Sequence, residues 1–196
     1  MSALTVEPPT AQGREWDDVV RIWEETDAPE GCTVEIIEGI VTVSPTPANS
    51  HNSIADLVQR RLYTVIPNDR GIYQTLALAI PSRLGMFIPD VVVAPKTALM
   101  EPGCDNPAAA AELVVEITSK SNANHDRVEK LHASTTAGVP LYLLLDSWHS
   151  GRPTATLYGE PKNGMCRVLD TVKYGEEICL PAPFDLTVDS SDFPVD

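Results

Sequence analysis

Hydrophobic residues recur along the chain at two different periods, which divide its first third into helices and strands. In REWDDVVRIWEETD (14–27) and in ANSHNSIADLVQRRLYTVIP (48–67), apolar residues return every three or four positions, so we expect an amphipathic helix in each. Between them, TVEIIEGIVTVSP (33–45) alternates around Glu38-Gly39. That alternation, broken by a glycine-containing turn, predicts a hairpin of two short strands.

The central part of the chain contains short, dense runs of Val, Ile and Leu. These runs are typical of strands covered on both faces, and they are GIYQTLALAIP (71–81), FIPDVVVAP (87–95), ELVVEIT (112–118) and VPLYLLLD (139–146). NANHDRVEKLHASTTAG (122–138) predicts a helix that ends at Gly138. The order of elements predicts an α/β (α+β) fold: a mixed central sheet flanked by helices, with an N-terminal helix and hairpin.

The length of 196 residues suits a single domain, residues 1–196. We expect residues 1–12 to be a flexible tail, residues 33–148 to form the core, and residues 149–196 to form short strands and turns. The N-terminus lacks the basic start and apolar run of a secretory signal. No segment approaches the ~20 apolar residues of a membrane helix. The expected location is therefore the cytoplasm.

The formal net charge of −14 argues against a simple electrostatic nucleic-acid binder. The acidic residues are concentrated at the ends, because residues 1–40 have a net charge of −8 and residues 141–196 a net charge of −5. Residues 41–140 have a net charge of only −1. An acidic periphery of this kind keeps a protein soluble, and it leaves the central strands nearly neutral.

Two acidic residues interrupt the apolar strands of the centre. Asp90 follows a proline in FIPDVVVAP, and Glu116 lies inside ELVVEIT. A carboxylate in a buried strand is costly unless it is paired, hydrogen-bonded or bound to a metal. If the two strands are adjacent, their acids form a site of hard oxygen ligands that suits Mg²⁺ and a phosphate. Asp90 alone has a structural alternative, as a strand-end acid that accepts hydrogen bonds from backbone amides.

A lysine beside such a site would orient or help deprotonate an attacking water and stabilise charge on a phosphate. In the simplest arrangement it follows the second acid by two residues, where this chain has Thr118. Lys120 lies two residues further on, where we expect a solvated lysine in a loop. Lys130 follows Asp126 by four residues, so both lie on one helix face. The residues alone favour an ordinary ion pair on a solvated face over a lysine that reaches the metal.

Several motifs, taken in order, resemble one known family. They are PDVVV (89–93), LVVEITS (113–119), D-R-V-E-K (126–130) and AGVPLYLLLD (137–146), and VEIIEGIVTVSPTPANSHNSI resembles the opening E-x-x-x-G … S-P … H of the same family. The family is Uma-two, whose restriction-endonuclease-like proteins are assigned to the PD-(D/E)xK nuclease superfamily. The resemblance covers roughly residues 33–148. It implies a restriction-endonuclease-like core, dependence on Mg²⁺ with Mn²⁺ as an alternative ion, and DNA as the substrate.

The resemblance also implies roles for particular residues. Asp90 and Glu116 would be the metal ligands, and Lys130 would be the catalytic lysine, moved from the strand to the helix. Glu38 would be an accessory acid or additional metal ligand, and His51 would contact phosphate or metal. Asp126, beside Lys130 on the helix, is a further accessory candidate.

Two positions depart from the family and leave the function open between two main hypotheses. Ser134 replaces a tyrosine four residues after the helix lysine, and Leu143 replaces a tryptophan after Tyr142. The first hypothesis is an Mg²⁺-dependent endonuclease that hydrolyses DNA phosphodiester bonds, with substrate choice resting on loops 81–87 and 96–111. A homodimer would suit cutting both strands of a duplex. The alternative is a catalytically inactive nuclease fold that acts as a binding or assembly module, which Thr118 and the acidic net charge favour. A third hypothesis, the hydrolysis of RNA or of a different phosphate ester, fits the same residues.

Overall fold

The computed structural model describes residues 15–100, 103, 106–119, 123–149 and 151–195. The predicted tail at residues 1–12 and Lys120 lie outside this range. The helices are α1 (Trp16–Glu24), α2 (Asn49–Leu62) and α3 (Leu131–Ala137). A π-helical segment, His125–Lys130, leads directly into α3. Gly138 ends α3 in the left-handed conformation at φ 81°, as the sequence predicts.

The strands of the described residues form three sheets. In chain order they are β1 (Thr33–Ile37), β2 (Ile40–Ser44), β3 (Arg70–Tyr73), β4 (Leu78–Ile80), β5 (Gly85–Phe87), β6 (Val91–Pro95), β7 (Asn106–Pro107), β8 (Leu113–Ile117), β9 (Leu141–Asp146), β10 (Thr154–Lys162), β11 (Met165–Lys173), β12 (Glu177–Leu180) and β13 (Leu186–Asp189). The central sheet has the order β11-β10-β9-β8-β6-β3, a second sheet the order β2-β1-β5-β4-β7, and β12 pairs with β13. Within the central sheet β8 and β9 run parallel and the other neighbours antiparallel. The predicted mixed sheet flanked by helices is confirmed.

Side chains of the central sheet alternate between two buried faces. On one face, Val91, Val115 and Leu143 pack with α2 and with the β12–β13 hairpin. On the other, Val92 and Val114 pack with α3 and with residues of the second sheet. Because successive side chains of a strand point to opposite faces, Glu116 shares the second face with Val114. That face therefore has a buried carboxylate among its apolar side chains.

Two of the predicted strands are each divided between the two sheets. GIYQTLALAIP becomes β3 and β4, because Thr75 adopts φ 52° and turns the chain out of the central sheet. FIPDVVVAP becomes β5 in the second sheet and β6 in the central sheet. Asp90 lies in the break between β5 and β6, so it is placed where the two sheets meet. Within the described residues, no helix is long and apolar enough to cross a membrane.

The hairpin predicted around Glu38-Gly39 is confirmed as β1 and β2. Glu38 and Gly39 have φ values of 50° and 78°, the positive pair that a two-residue turn of type I′ requires. Ile37 pairs with Ile40 across this turn. The register directs Glu35 inward, where it is buried, and leaves Glu38 at the tip of the turn.

Candidate active site

A cavity of about 290 Å³ opens beside the junction of the two sheets. Its ionisable lining residues come from five separate parts of the chain, and they are Glu35, His51, Asp90, Glu116, Asp126 and Lys130. Five of these six are the residues that the sequence singles out. Glu35 is the sixth, and Glu38 is not among them.

The Lys130 ammonium lies at the centre of the acidic group. Its Nζ is 2.9 Å from Glu35 Oε1, 3.4 Å from Glu116 Oε1 and 3.4 Å from Asp126 Oδ1. The predicted ion pair of Lys130 with Asp126 is present, but Lys130 is only 5% exposed, so the prediction that this pair lies on a solvated face is wrong. The reason is the docking of the π-helical segment against the sheet, which brings both Asp126 and Lys130 inside. Burial opposes the charged form of Lys130, but Glu116 and the other carboxylates outweigh it and hold its pKa well above the usual range.

Burial raises the pKa of two acids of the group, Glu116 and Asp126. Burial, only partly offset by Lys130, raises the pKa of Glu116 well above its usual range, and the neighbouring acids raise it further. The same causes raise the pKa of Asp126 to about 6. Glu116 Oε1 and Asp126 Oδ1 are buried without a hydrogen-bond partner. Both oxygens share the Lys130 ammonium at 3.4 Å, which is longer than a normal charge-assisted hydrogen bond, so they are weakly bound acceptors that suit a cation or a proton.

Asp90 is held beside Glu116 by strand pairing. Val91 of β6 is opposite Val115 of β8, and the Ile117 N–H donates to Asp90 Oδ2 at 2.7 Å. Asp90 therefore does bind a backbone amide, as its structural alternative requires, but only through one oxygen. The other oxygen, Oδ1, lies 3.0 Å from His51 Nε2.

His51 lies at the start of α2 and faces the acids. Burial by itself lowers the pKa of His51, but the hydrogen bond to Asp90 and the charges of Asp90 and Asp126 raise it overall. Its second ring nitrogen, Nδ1, is buried without a hydrogen-bond partner.

Glu35 is the functional candidate that the sequence analysis misses. Its Oε1 accepts a hydrogen bond from the Ile88 N–H at 2.8 Å and also contacts Lys130. It therefore joins β1, the segment that leads to Asp90, and the helix lysine. The signal was present, since the E-x-x-x-G spacing of the family opening runs from Glu35 to Gly39. Glu38 instead is 51% exposed and pairs with Arg83, outside the cavity.

Thr118 and Asp146 belong to a neighbouring network with different properties. Arg127 donates twice to Asp146, at 2.6 Å and 2.8 Å, and the Thr118 hydroxyl donates to Asp146 Oδ1 at 3.0 Å. The Trp148 N–H also donates to Oδ1. Although burial opposes it, the Arg127 hydrogen bonds and these donors lower the pKa of Asp146. Thr118 lies two residues after Glu116, where the simplest arrangement has a lysine, and its hydroxyl is bound to Asp146 instead.

The residues present fit a hard divalent cation. Carboxylate oxygens are the ligands that Mg²⁺ prefers, and four carboxylates here line one cavity. In the part of the chain that the structure describes, no three ligands already surround a single point. Lys130 occupies the space among the acids, so a cation would bind beside the ammonium and share its carboxylates.

Comparisons with known proteins show the family and the fold of the chain. The Uma2 family model, described as "Putative restriction endonuclease", matches residues 16–189. The chain is also similar to a crystal structure described as a putative nuclease belonging to DUF820 from Anabaena variabilis. The TM-score is 0.67 at 17% sequence identity, over 92% of this chain and 97% of that chain, and this likeness shows the fold. A search of curated proteins gave no match. Because the family model spans most of the sequence, the chain belongs to the Uma2 family.

Proposed function

We propose that this protein is an Mg²⁺-dependent endonuclease that hydrolyses DNA phosphodiester bonds. One observation carries the proposal: the buried Lys130 ammonium contacts three carboxylates beside the Asp90–His51 pair, in an open cavity. Carboxylates with a lysine are the components that metal-assisted phosphodiester hydrolysis requires. The family description supports a nuclease, and enzymes of the restriction-endonuclease type generally use a divalent metal.

Asp90 and Glu116 are the proposed metal ligands, with Asp126 as an accessory ligand and Mn²⁺ as an alternative ion. A bound divalent ion would polarise a phosphoryl oxygen and make a bound water more acidic. Glu116 Oε1 and Asp126 Oδ1 are the oxygens left to complete such a site, because neither has a hydrogen-bond partner. Glu35 holds Lys130 and the Ile88 N–H at once, so it positions the lysine relative to Asp90.

The protonation states of the cluster assign the remaining roles. Lys130 stays charged because its pKa is raised. We therefore assign Lys130 to orienting the attacking water and stabilising negative charge on the phosphate, not to removing a proton. His51, whose pKa is raised, is assigned to contact a phosphate oxygen.

The test is cleavage of circular DNA in Mg²⁺ and in Mn²⁺. Circular substrates have no ends, so any cut is endonucleolytic, and both a supercoiled plasmid and a single-stranded circle are used. We expect metal-dependent cutting by the wild type and none by Asp90→Asn. Asp69→Asn is the matched control, because Asp69 is 72% exposed and does not line the cavity. Absence of cutting of both circles by wild type that is folded and binds metal would favour the non-catalytic binding module instead.

A further inference from the structure

A tryptophan lines the same cavity as the acids. Trp148 follows β9 directly and is partly buried at the cavity wall. The wall also includes Pro45 and Thr46, which follow β2, and Ser50 at the start of α2. The cavity therefore combines an aromatic ring, small hydroxyl side chains and the acidic cluster.

The backbone that carries Trp148 is held firmly. The Trp148 N–H donates to Asp146 Oδ1 at 3.0 Å, and Asp146 is itself buried. Arg127 and Thr118 bind the same carboxylate from the helix and from the end of β8. Three donors thus bind one carboxylate beside the cavity, and one of them fixes the backbone from which the Trp148 side chain extends.

The dimensions of the cavity favour a single nucleotide unit. At about 290 Å³ it lies near the lower limit of small-molecule pockets, roughly 300–1,000 Å³. Hydroxyl groups of Thr33, Ser44 and Ser50 line it and are suitable partners for sugar and phosphate oxygens. A base can stack on an aromatic ring only after it has left the base stack of a duplex.

The net charge of the chain makes phosphate contacts unfavourable for duplex and single-stranded DNA alike, because both are bound largely through cationic contacts and this chain has a net charge of −14. An unpaired base adds a stacking contribution that a base inside a duplex does not offer. Stacking of unpaired bases on aromatic side chains supplies affinity that tolerates any sequence. We propose that Trp148 is a stacking platform for an unpaired base, and that the substrate of the proposed nuclease is single-stranded DNA. This inference rests on the proposed function and names its substrate class.

The first experiment measures stacking without any cleavage. Oligothymidylate is titrated into the metal-free protein while tryptophan fluorescence is recorded. We expect quenching in the wild type and none in Trp148→Phe, because Trp16 and Trp23 pack around the separate core formed with Val19. Equal quenching in both proteins, or none in either, would overturn the inference.

The second experiment compares variants on matched substrates. Trp148→Leu keeps an apolar side chain but loses the ring, so we expect roughly a tenfold loss of affinity for oligothymidylate. Trp148→Phe keeps a ring and should bind close to the wild type. The wild type should also bind and cut single-stranded DNA better than a hairpin duplex of the same sequence. Circular dichroism confirms that each variant is folded.

The outcomes separate this inference from the proposed function. Suppose that cutting depends on metal but shows no preference for single strands, and that Trp148→Leu binds oligothymidylate as well as the wild type. These results would contradict the inference and still support the proposed nuclease. Quenching through Trp148 with no metal binding and no cutting would leave the stacking platform intact and reject the nuclease. Magnesium calorimetry on Trp148→Leu should match the wild type, because Trp148 is assigned to the base and not to the metal.

Discussion

Two buried acid–base clusters lie one strand apart in this protein, and their electrostatics are opposite. Asp146 at the end of β9 accepts hydrogen bonds on both carboxylate oxygens, and its pKa is lowered. Glu116 in the adjacent strand β8 has one oxygen that makes no hydrogen bond and lies 3.4 Å from the Lys130 ammonium, and its pKa is raised. Both clusters contain a cation from the same helical segment, Arg127 in one and Lys130 in the other.

The opposite pKa shifts of Asp146 and Glu116 indicate that the two clusters have different roles. Arg127 presents a planar fork that matches one carboxylate, so the Asp146 cluster is complete within the chain. Lys130 is a compact charge shared by three carboxylates, so the Glu116 cluster retains excess negative charge. Burying unsatisfied acids opposes folding, and such groups gather at functional sites. The first cluster stabilises the fold, and the second is the one that we propose as the cation site.

The largest effect expected is from Glu116→Gln. The substitution keeps the size of the side chain but removes the charge that a metal needs. We expect Mg²⁺-dependent DNA cutting to fall by more than roughly 100-fold, with no loss of thermal stability in the absence of metal. Cutting assays and thermal denaturation measure the two quantities. Unchanged cutting together with a large fall in stability would place Glu116 in the structural class of Asp146.

A second pair of variants tests Glu35 against its neighbour in the same hairpin. Glu35→Gln weakens the contact that positions Lys130, so we expect cutting to fall by roughly 10- to 100-fold. Glu38→Gln affects only a half-exposed pair with Arg83, which contributes less than about 1 kcal/mol. Initial rates of cutting, together with the pH profile of the rate, distinguish positioning from simple destabilisation. Equal effects of the two substitutions would contradict the assignment of Glu35.

The free energy of unfolding should change with pH in opposite directions for the two clusters. Folded Asp126, with its pKa near 6, binds more protons than the unfolded chain above its ordinary pKa of 3.8. Its contribution is therefore lost as the pH rises towards about 6, and Asp126→Asn should raise the free energy of unfolding at neutral pH by about 1–3 kcal/mol. Asp146 has a lowered pKa, so its contribution is present at neutral pH and lost on acidification.

Asp146→Asn should accordingly lower the free energy of unfolding at neutral pH by roughly 2–3 kcal/mol, with a smaller effect in acid. Urea denaturation over a pH series, without metal, measures both variants. The comparison between the clusters fails if Asp126→Asn proves less stable than the wild type at neutral pH.

The smallest effect expected is from Thr118→Val. The substitution removes one donor from Asp146, which keeps Arg127 and the Trp148 N–H. We expect the free energy of unfolding to fall by about 1 kcal/mol, while Mg²⁺ affinity stays unchanged. Denaturation and calorimetry on the same preparation measure the two. A change in metal affinity would extend the candidate site to Thr118.

The fold and half of the site follow from local sequence patterns. Apolar runs identify strand β8, which contains Glu116, and strand β6, which Asp90 directly precedes, and an acid within such a run is visible as an anomaly. Pairing of β6 with β8 then places the two acids together, as expected from adjacent strands. These features depend on periodicity and burial, which a single sequence expresses directly.

The remainder depends on tertiary contacts that local patterns do not contain. The i,i+4 spacing of Asp126 and Lys130 is the same on a solvated face and on a buried one, and only the docking of the helical segment decides between them. Glu35 and Glu38 differ by which side of a hairpin faces inward, which the turn and register determine. The split of FIPDVVVAP between two sheets is likewise a property of the assembled fold.

The central claim is that the cluster around Lys130 is built to hold a divalent cation. Titration calorimetry of Mg²⁺ and Mn²⁺ into the wild type and Asp90→Ala, above and below pH 6, tests it most directly. Cation binding displaces protons from raised acids, so the account predicts tighter binding at the higher pH and loss of binding in Asp90→Ala. A wild type that binds neither ion at either pH, or a variant that binds as well as the wild type, would contradict it.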